Sequence, residues 1–465
     1  MSNYKLSVTI FVMEQLTIEM LKSKKDSYIG KTVQVTGWVK NYRESKTTSF
    51  LELNDGSTFK ALQIVIQKED NNKIDTETLN GVMHLGVAVE VSGVVVSAYH
   101  NADDAEINAE RIKIIGNCAA DYPIQKKKTS LEFLRTIPHL RMRTNTFMAM
   151  FRVRNALSMA VHHFFQNRGF FYIHTPLITG GDAEGAGESF QVVAPDFQGD
   201  FFGAPASLTV SGQLEAEEAA MALGRVYTFG PTFRAENSNT TRHAAEFWMV
   251  EAEAAFTNIN GIIDVARDMI KSIIREVLTQ CPDEMAFFDN FYEKGLIEKL
   301  RQVADNAFAQ VDYTEAIDIL KKSGKTFKYP VEWGVDLQTE HERYLTDEYF
   351  KKPVFVVNYP RDVKAFYMKQ NADGKTVAAT DLLVPGVGEI IGCSEREADY
   401  DKLVSVMQAR GMNLDNYRNY LDLRQYGSVP HSGFGLGLER MLMYLTGINN
   451  IRDTQLHPRA VGELR

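Results

Sequence analysis

Between Thr228 and Glu253 the chain reads TFGPTFRAENSNTTRHAAEFWMVEAE. Two strand-like runs flank a polar loop. The first run ends in Phe233-Arg234-Ala235-Glu236. The loop Asn237–Thr241 leads to Arg242-His243, and the second run starts at Glu246-Phe247. A hairpin with Arg at both ends of its loop and Phe just beyond suits a bound nucleotide. Guanidinium groups grip phosphate oxygens bidentately, and a Phe ring gives a base a face to stack on. An ordinary charged hairpin can carry the same pattern, so the case depends on what precedes and follows it.

The totals set the bounds. A chain of 465 residues has ample core and room for roughly two to four domains. Composition is that of a soluble globular protein, 44% apolar and 24% charged. The formal charge of −9 means that any contact with RNA must run through local basic and aromatic features. Cys118, Cys281 and Cys393 are scattered with no CxxC pair. That argues against a disulfide framework or a structural zinc site and fits a reducing, cytoplasmic setting. No apolar run approaches the roughly 18 residues of a membrane span, so no membrane partner is expected. Leu6–Met13 (LSVTIFVM) is short, is interrupted by Ser7 and Thr9, and lacks a small-residue cleavage site, so it is not read as a signal peptide. Met13 is an alternative start, with residues 1–12 an upstream extension.

Residues 1–29 form a lead-in, amphipathic over 14–30. From there strand periodicity takes over. Thr32–Lys40 and Ser49–Leu53 alternate, Asn54-Asp55-Gly56-Ser57 is a hairpin turn, and Ala61–Gln67 returns. Val87–Ser97 and Ala105–Ile115 add two more strands. Five short strands with Gly-containing turns over residues 30–118 predict a small closed barrel, most simply an OB-fold. Phe50 and Gln63 lie on strands that face one another across the hairpin. An exposed Phe there can stack a base and a Gln can read its edge, although core packing is the commoner role for a strand Phe. Residues 119–140 make a linker with Pro123 as breaker and Lys126–Lys128 as a basic run.

Residues 141–465 form the larger domain. Arg143–Arg168 is helical in pattern, and Gly169–Pro176 (GFFYIHTP) is a Gly stop followed by a strand ending at Pro. Gly180–Glu188 is a Gly-rich loop carrying Glu184 and Glu188. Leu208–Met221 enters a helix with Ser211 near its N-cap, and Gln213 and Glu217 sit four apart on one face. Ile259–Gln280 is a long amphipathic helix. Residues 281–330 read as a mostly helical insertion, over Asp289–Ala309 and Tyr313–Lys322. Ala378–Val384 and Glu389–Cys393 look like antiparallel strands bent at Pro385-Gly386, which brings Asp381 near Glu389. Such a pair of acids can hold Mg²⁺. Arg396 follows. His431–Thr446 (HSGFGLGLERMLMYLT) is a Gly-rich strand running into an apolar helix with Arg440 in its first turn. An Arg there is costly unless an anion pairs with it.

Together these pieces resemble the class II aminoacyl-tRNA synthetases. Gly169–Pro176 looks like their first motif, Phe233–Glu251 like the second, and Gly435-Leu436-Gly437-Leu438-Glu439-Arg440 like the third. An N-terminal barrel with Phe50 and Gln63 narrows the resemblance to the aspartyl/asparaginyl/lysyl subgroup. Ala183–Glu188, Ser211-Gly212-Gln213-Leu214 with Glu217, and Pro385–Gly392 with Arg396 are most similar to the bacterial asparaginyl branch. The resemblance implies an α+β fold, an anticodon-binding OB-fold followed by an antiparallel catalytic sheet flanked by helices. It also implies a homodimer built on the first motif, and ATP, L-asparagine and tRNA(Asn) as partners with Mg²⁺ as cofactor.

The residue roles it implies are these. Arg234 grips the α-phosphate and substrate carboxylate. Glu236 meets the adenine amino group or the acceptor end, Arg242 and His243 the outer phosphates, and Phe247 stacks the adenine. Arg440 covers the other adenine face and the γ-phosphate. Glu389 with Asp381 holds the metal, and Glu184 and Gln213 meet the α-ammonium. Phe50 and Gln63 meet the anticodon. The spacing from Asp381 to Glu389 is one longer than the aspartyl pattern and fits the asparaginyl one.

Aspartate and asparagine are nearly isosteric, so size cannot separate them. A carboxylate only accepts, whereas an amide accepts and donates. Arg396 can donate to the oxygen of either. Where the aspartyl enzymes carry a Lys this chain has Ala216, followed by the carboxylate Glu217, which would accept the amide NH₂ and repel a second carboxylate. An unmet polar group adds about 1–3 kcal/mol. The alternatives are a non-discriminating aspartyl enzyme and an asparagine synthetase related to this fold.

Overall fold

The computed structural model describes residues 16–68, 74–99, 101–127, 129–180 and 189–464. The chain divides into two compact units, Met1–Asn145 and Thr146–Arg465.

The first unit is built on β1 (Thr32–Glu44), β2 (Thr48–Asn54), β3 (Leu62–Gln67), β4 (Ala88–Ser97) and β5 (Ala105–Gly116). They close into a barrel in the order β1-β2-β3-β5-β4, with β3 and β5 parallel. Closure follows from alternation: Val33 and Val35 on β1 and Val89, Val91 and Val95 on β4 point inward. The expected turn forms, with Asn54 Oδ1 accepting from Gly56 N–H and Asp55 Oδ1 from Ser57 N–H. The lead-in belongs to this unit. Thr17 caps a helix Ile18–Ser23 whose Ile18 and Leu21 are fully buried in the barrel's core cluster, and Ile18 N–H donates to Asp55 Oδ2 at 2.8 Å.

The second unit has β6 (Phe171–Tyr172), a small sheet of β7 (Ile178–Thr179), β8 (Gln191–Val192) and β9 (Ala206–Leu208), then β10 (Arg225–Phe233) and β11 (Glu246–Ala255). There follow β12 (Ala309–Asp312), β13 (Val354–Val357), β14 (Ala379–Val384), β15 (Gly388–Glu395) and β16 (His431–Gly437). The main sheet runs β12-β13-β14-β15-β16-β11-β10-β6, antiparallel except for parallel pairings at both edges. The expected helix Ile259–Gln280 forms as read. It packs on β15 and β16 through Ile262, Ile263, Ala266, Ile270, Ile273, Ile274 and Val277.

The 281–330 stretch corrects the sequence reading. The helix expected over Asp289–Ala309 is two helices, Pro282–Phe291 and Leu296–Asp305. Ala309–Asp312 then leaves helix altogether and pairs with Val354–Val357 as the edge strand of the main sheet. Val311 packs beside Tyr313, Val354 and Val356 in the core. A four-residue strand carries too little periodicity to be read, and its pairing with β13 overrides local helix preference.

The contribution of the lead-in to the barrel core is testable. Leu21→Ala is expected to cost about 2–5 kcal/mol in the barrel. Amide exchange should accelerate in β1 and β4 while the main sheet of the second unit stays protected.

Candidate active site

The hairpin read from sequence is β10 and β11, in a register that pairs Thr232 with Phe247 and Phe233 with Glu246. Arg234 N–H donates to Ala245 O at 2.9 Å where the loop leaves the sheet. A residue not singled out in the sequence fixes the loop's far side: Arg452 donates to Thr240 O at 3.1 Å and to Asn239 Oδ1 at 2.7 Å. Arg234, Glu236, Arg242, His243, Phe247 and Arg440 all line one pocket together with Glu389. The Arg234 guanidinium lies 5.5 Å from the Phe247 ring centroid, and Gly435 and Gly437 of β16 also line the cavity. Burial and then neighbouring Arg440 push the pKa of His243 down. Arg242 is lowered chiefly by burial, an effect that Arg440 and Arg343 reinforce. Crowded, half-buried cations of this kind are relieved by a polyanion.

The acids lie on the same side of the sheet. Asp381 pairs with Gly392 across β14 and β15, with a bulge between Leu382 and Leu383. A Cβ at Gly392 would stand 3.6 Å from Glu389 Oε1 and 3.7 Å from Asp381 Oδ1, so the two carboxylates converge as expected. Two neighbours were not anticipated. Lys364 Nζ donates to Asp381 Oδ2 at 2.6 Å. Glu342, in the helix Thr339–Arg343, accepts from Glu389 N–H at 3.2 Å. Gly388 has φ +88°, and a Cβ there would fall 2.2 Å from Glu342 Oε2, so this approach requires glycine.

Burial pushes Asp381 up to about 6 against the pull of Lys364. Burial also acts to raise Glu389, but Arg440, Lys364 and Arg234 outweigh it and hold the group below the usual carboxylate range. Glu342 is pushed up to about 8 by burial and then by Glu389. Among the described residues no three His, Cys, Asp or Glu side chains are placed to chelate one metal ion. Two hard oxygen donors beside this pocket suit Mg²⁺, which takes one or two carboxylates and fills its shell with water and phosphate oxygens.

The other predicted cluster is fully buried. Ser211 Oγ donates to Glu251 Oε1 and Gly212 N–H to Glu251 Oε2 at 2.9 Å, which sets the entry to the helix Gln213–Leu223. From its first turn Gln213 Nε2 donates to Glu217 Oε1 at 3.0 Å, the i,i+4 contact expected. Arg396 makes a two-point pair with Glu253, Nη2 to Oε1 at 2.5 Å and Nε to Oε2 at 3.2 Å, and its Nε is 3.9 Å from Glu217 Oε1.

Sequence reasoning missed Glu253, Tyr420, Arg424 and His431. Arg424 Nη2 donates to Glu217 Oε2 at 2.7 Å, His431 Nε2 lies 2.9 Å from the same oxygen, and Tyr420 OH is 3.0 Å from both oxygens. A signal existed for Glu253, which alternates with Glu251 among the apolar residues of the buried half of its strand. Burial opposes ionisation of Glu217, but Arg424, His431 and Arg396 prevail and hold it well below the usual range. Burial raises Glu253 to about 7 despite Arg396. Glu184 falls outside the described residues.

In the barrel, Phe50 and Gln63 share the outer face but are not direct partners: Phe50 pairs with Val65, and Gln63 with Glu52. Arg43, not singled out before, joins them. Its guanidinium lies 4.2 Å from the Phe50 ring centroid, and it donates to Gln63 Oε1 at 3.1 Å. Gln63 Nε2 donates to Glu106 at 2.7 Å. Phe50 is half-buried and stands outside the barrel's core cluster.

Residues 130–461 match the family of tRNA synthetases class II (D, K and N), and residues 33–115 match the OB-fold nucleic acid binding domain. The chain belongs to that class II synthetase family. Within it, the chain is 53% identical to the asparagine–tRNA ligase of Bacillus anthracis and 51% identical to that of Clostridium botulinum, over 97% of its own length and 99% of theirs. Among solved structures it is similar to asparaginyl-tRNA synthetase from Pyrococcus horikoshii complexed with asparaginyl-adenylate. The TM-score is 0.87 and the identity 34%, over 97% of this chain and 99% of that one. The Entamoeba histolytica asparaginyl-tRNA synthetase in complex with asparaginyl-adenylate gives a TM-score of 0.81 and 29% identity, over 94% and 96%.

Glu342 gives a pH signature. The unfolded chain loses this proton near 4.5, whereas the folded chain keeps it to about 8. The folded state therefore binds more protons in that window, and stability falls as pH rises through it. Glu342→Gln removes the effect, so its Tm relative to the parent protein, without ATP or metal, should increase steadily between those two values.

Proposed function

We propose that the chain is an asparagine–tRNA ligase that activates L-asparagine with ATP to asparaginyl-adenylate and transfers it to the 3′ end of tRNA(Asn). One observation carries the choice of amino acid. In the buried cluster the two guanidinium groups, Arg396 and Arg424, are each matched by a carboxylate, Glu253 and Glu217. A substrate carboxylate would be a further buried negative charge beside Glu217, whereas an amide adds no charge. The amide offers its oxygen to Arg396 and its NH₂ to Glu217.

The chemistry follows from the two walls. The asparagine carboxylate attacks the α-phosphorus, a mixed anhydride bond between carboxyl oxygen and phosphorus forms, and the bond to the β-phosphate breaks so that pyrophosphate leaves. The tRNA 3′-terminal hydroxyl then attacks the activated carbonyl and AMP leaves. Arg234 stabilises charge growing on the α-phosphate, Arg242 and His243 hold the outer phosphates, and Arg440 and Phe247 enclose the adenine, with Glu236 at its edge. Gln213 and Glu184 receive the α-ammonium. Mg²⁺ held by Glu389 and Asp381 would neutralise phosphate charge when bound. On the barrel, Phe50 stacks an anticodon base and Gln63 reads an edge.

The exposed Phe171, Tyr172, Leu177 and Ile178, at and just beyond the sheet edge, support a homodimer. No helix among the described residues is long and apolar enough to cross a membrane, in keeping with a cytoplasmic enzyme.

Pyrophosphate exchange with each amino acid tests the reading. Asparagine should support exchange and aspartate should be at least about tenfold poorer, and equal rates would sink the asparagine assignment. Glu217→Gln is expected to narrow the gap. If the variant discriminates as well as the parent, the role of Glu217 is wrong.

Phe50→Ala tests the barrel separately. It should raise KM for tRNA by about 1–3 kcal/mol equivalent and leave exchange and thermal stability unchanged. A loss of stability with an unaltered KM would assign Phe50 to packing.

A further inference from the structure

Glu217 is the acceptor on which amide recognition depends, and its position is set from outside its own helix. In the helix Arg418–Gln425, Tyr420 and Arg424 stand four residues apart and face the same way. Arg424 engages Oε2 at 2.7 Å, His431 Nε2 lies 2.9 Å from that oxygen, and the Tyr420 hydroxyl lies 3.0 Å from each of the two. Oε1 is the oxygen that meets Gln213 and lies 3.9 Å from Arg396. Arg424 is itself anchored, with Nε donating to Glu397 O at 3.0 Å. The carboxylate is thus held at both oxygens, Oε2 by Arg424 and His431, Oε1 by Gln213, with Tyr420 between them, and Oε1 is the oxygen on the side where Arg396 stands.

We infer that Arg424 is a specificity-determining positioning residue, which through Glu217 keeps an ionised, acceptor-only oxygen facing the side chain of the amino acid. This rests on the asparagine reading of the site. The charged or titratable groups that face Glu217 are Arg424 and Tyr420 from the helix, His431 from β16, Arg396 just past β15 and Glu253 from β11. Without Arg424, Glu217 keeps His431 and the Tyr420 hydroxyl but competes with Glu253 for the Arg396 guanidinium, and two buried carboxylates so placed do not both stay ionised. A Glu217 that takes up the proton presents an O–H donor. It then serves the side-chain oxygen of aspartate as well as that of asparagine, and no longer selects for NH₂.

The test is pyrophosphate exchange on the full chain with asparagine and aspartate, between about pH 6 and pH 9. The unmodified protein checks the reading itself: if it does not prefer asparagine, that reading fails. Given the preference, Arg424→Met is expected to lower kcat/KM for asparagine by roughly tenfold to a hundredfold. It should also raise the aspartate-to-asparagine ratio and leave KM for ATP unchanged. Its asparagine activity should climb with pH, because loss of the proton restores the acceptor, whereas the parent's profile stays flat relative to it. Ratios and KM values within one sample are not imitated by a smaller folded fraction.

Tyr420→Phe keeps the volume and the charge, and decides the matter if the Met variant does not fold. It should raise KM for asparagine by about tenfold at unchanged KM for ATP. An Arg424→Met enzyme with the parental ratio and pH profile overturns the inference, as does a Tyr420→Phe enzyme with parental KM for asparagine.

Discussion

The two-point pair between Arg396 and Glu253 is the contact around which the rest of the site is arranged. Glu253 on β11 and Ser394 on β15 both pair with Gly433 of β16, so three adjacent strands place these positions in one row. Arg396, two residues past Ser394, reaches back along that row and donates to both Ser394 Oγ and Glu253. The row closes only because its middle residue has no side chain: a Cβ at Gly433 would fall 2.0 Å from Glu253 Oε1. An ion pair this deep contributes little net stability, since desolvation offsets most of the Coulomb gain. What it secures is direction. The guanidinium is held in one plane, with Glu217 3.9 Å from its Nε.

The two walls of the site handle buried charge in opposite ways. Around Arg396 the books close within the protein, because each guanidinium has its carboxylate and the side chains are almost wholly excluded from water. Around Arg242 and Arg440 the balance is looser. There the side chains are half-exposed, Arg440 Nη1 reaches Glu389 only at 3.5 Å, Arg242 donates to a threonine hydroxyl, and cations crowd one another. The first arrangement suits recognition of a neutral side chain, since any added charge disturbs a settled balance. The second suits a ligand that brings negative charge with it, since the ligand completes the balance.

Legibility in the sequence follows the same division. The pocket around Arg234 was readable because its residues are local: Arg234 through Phe247 lie on one hairpin, and Arg440 is marked by the Gly-rich strand before it. The barrel was readable because strand alternation and an Asn-Asp-Gly turn are short-range signals. The buried cluster around Arg396 was readable only in part. Gln213 and Glu217 share a helix face, but Arg424 and His431 are 207 and 214 residues from Glu217, and no spacing rule joins them. Glu342 was missed for the same reason, being 47 residues from the Glu389 N–H that it holds. The edge strand Ala309–Asp312 was missed because its hydrogen bonds belong to β13 and not to its own neighbours.

Acceptors and donors held in this way also fix the helix Gln213–Leu223, although its first turn is where a chain is least constrained. Glu251 accepts from both Ser211 and Gly212, which fixes the residue before Gln213 to the central sheet. The helix is then locked one turn later, where Glu217 meets Arg424, Tyr420 and His431. Two attachments five to six residues apart restrict rotation about the helix axis. Gln213 Nε2 and Glu217 Oε1 must therefore face the same space as Arg396, and an exchange of amide for carboxylate there is met by electrostatics and not by movement of the helix.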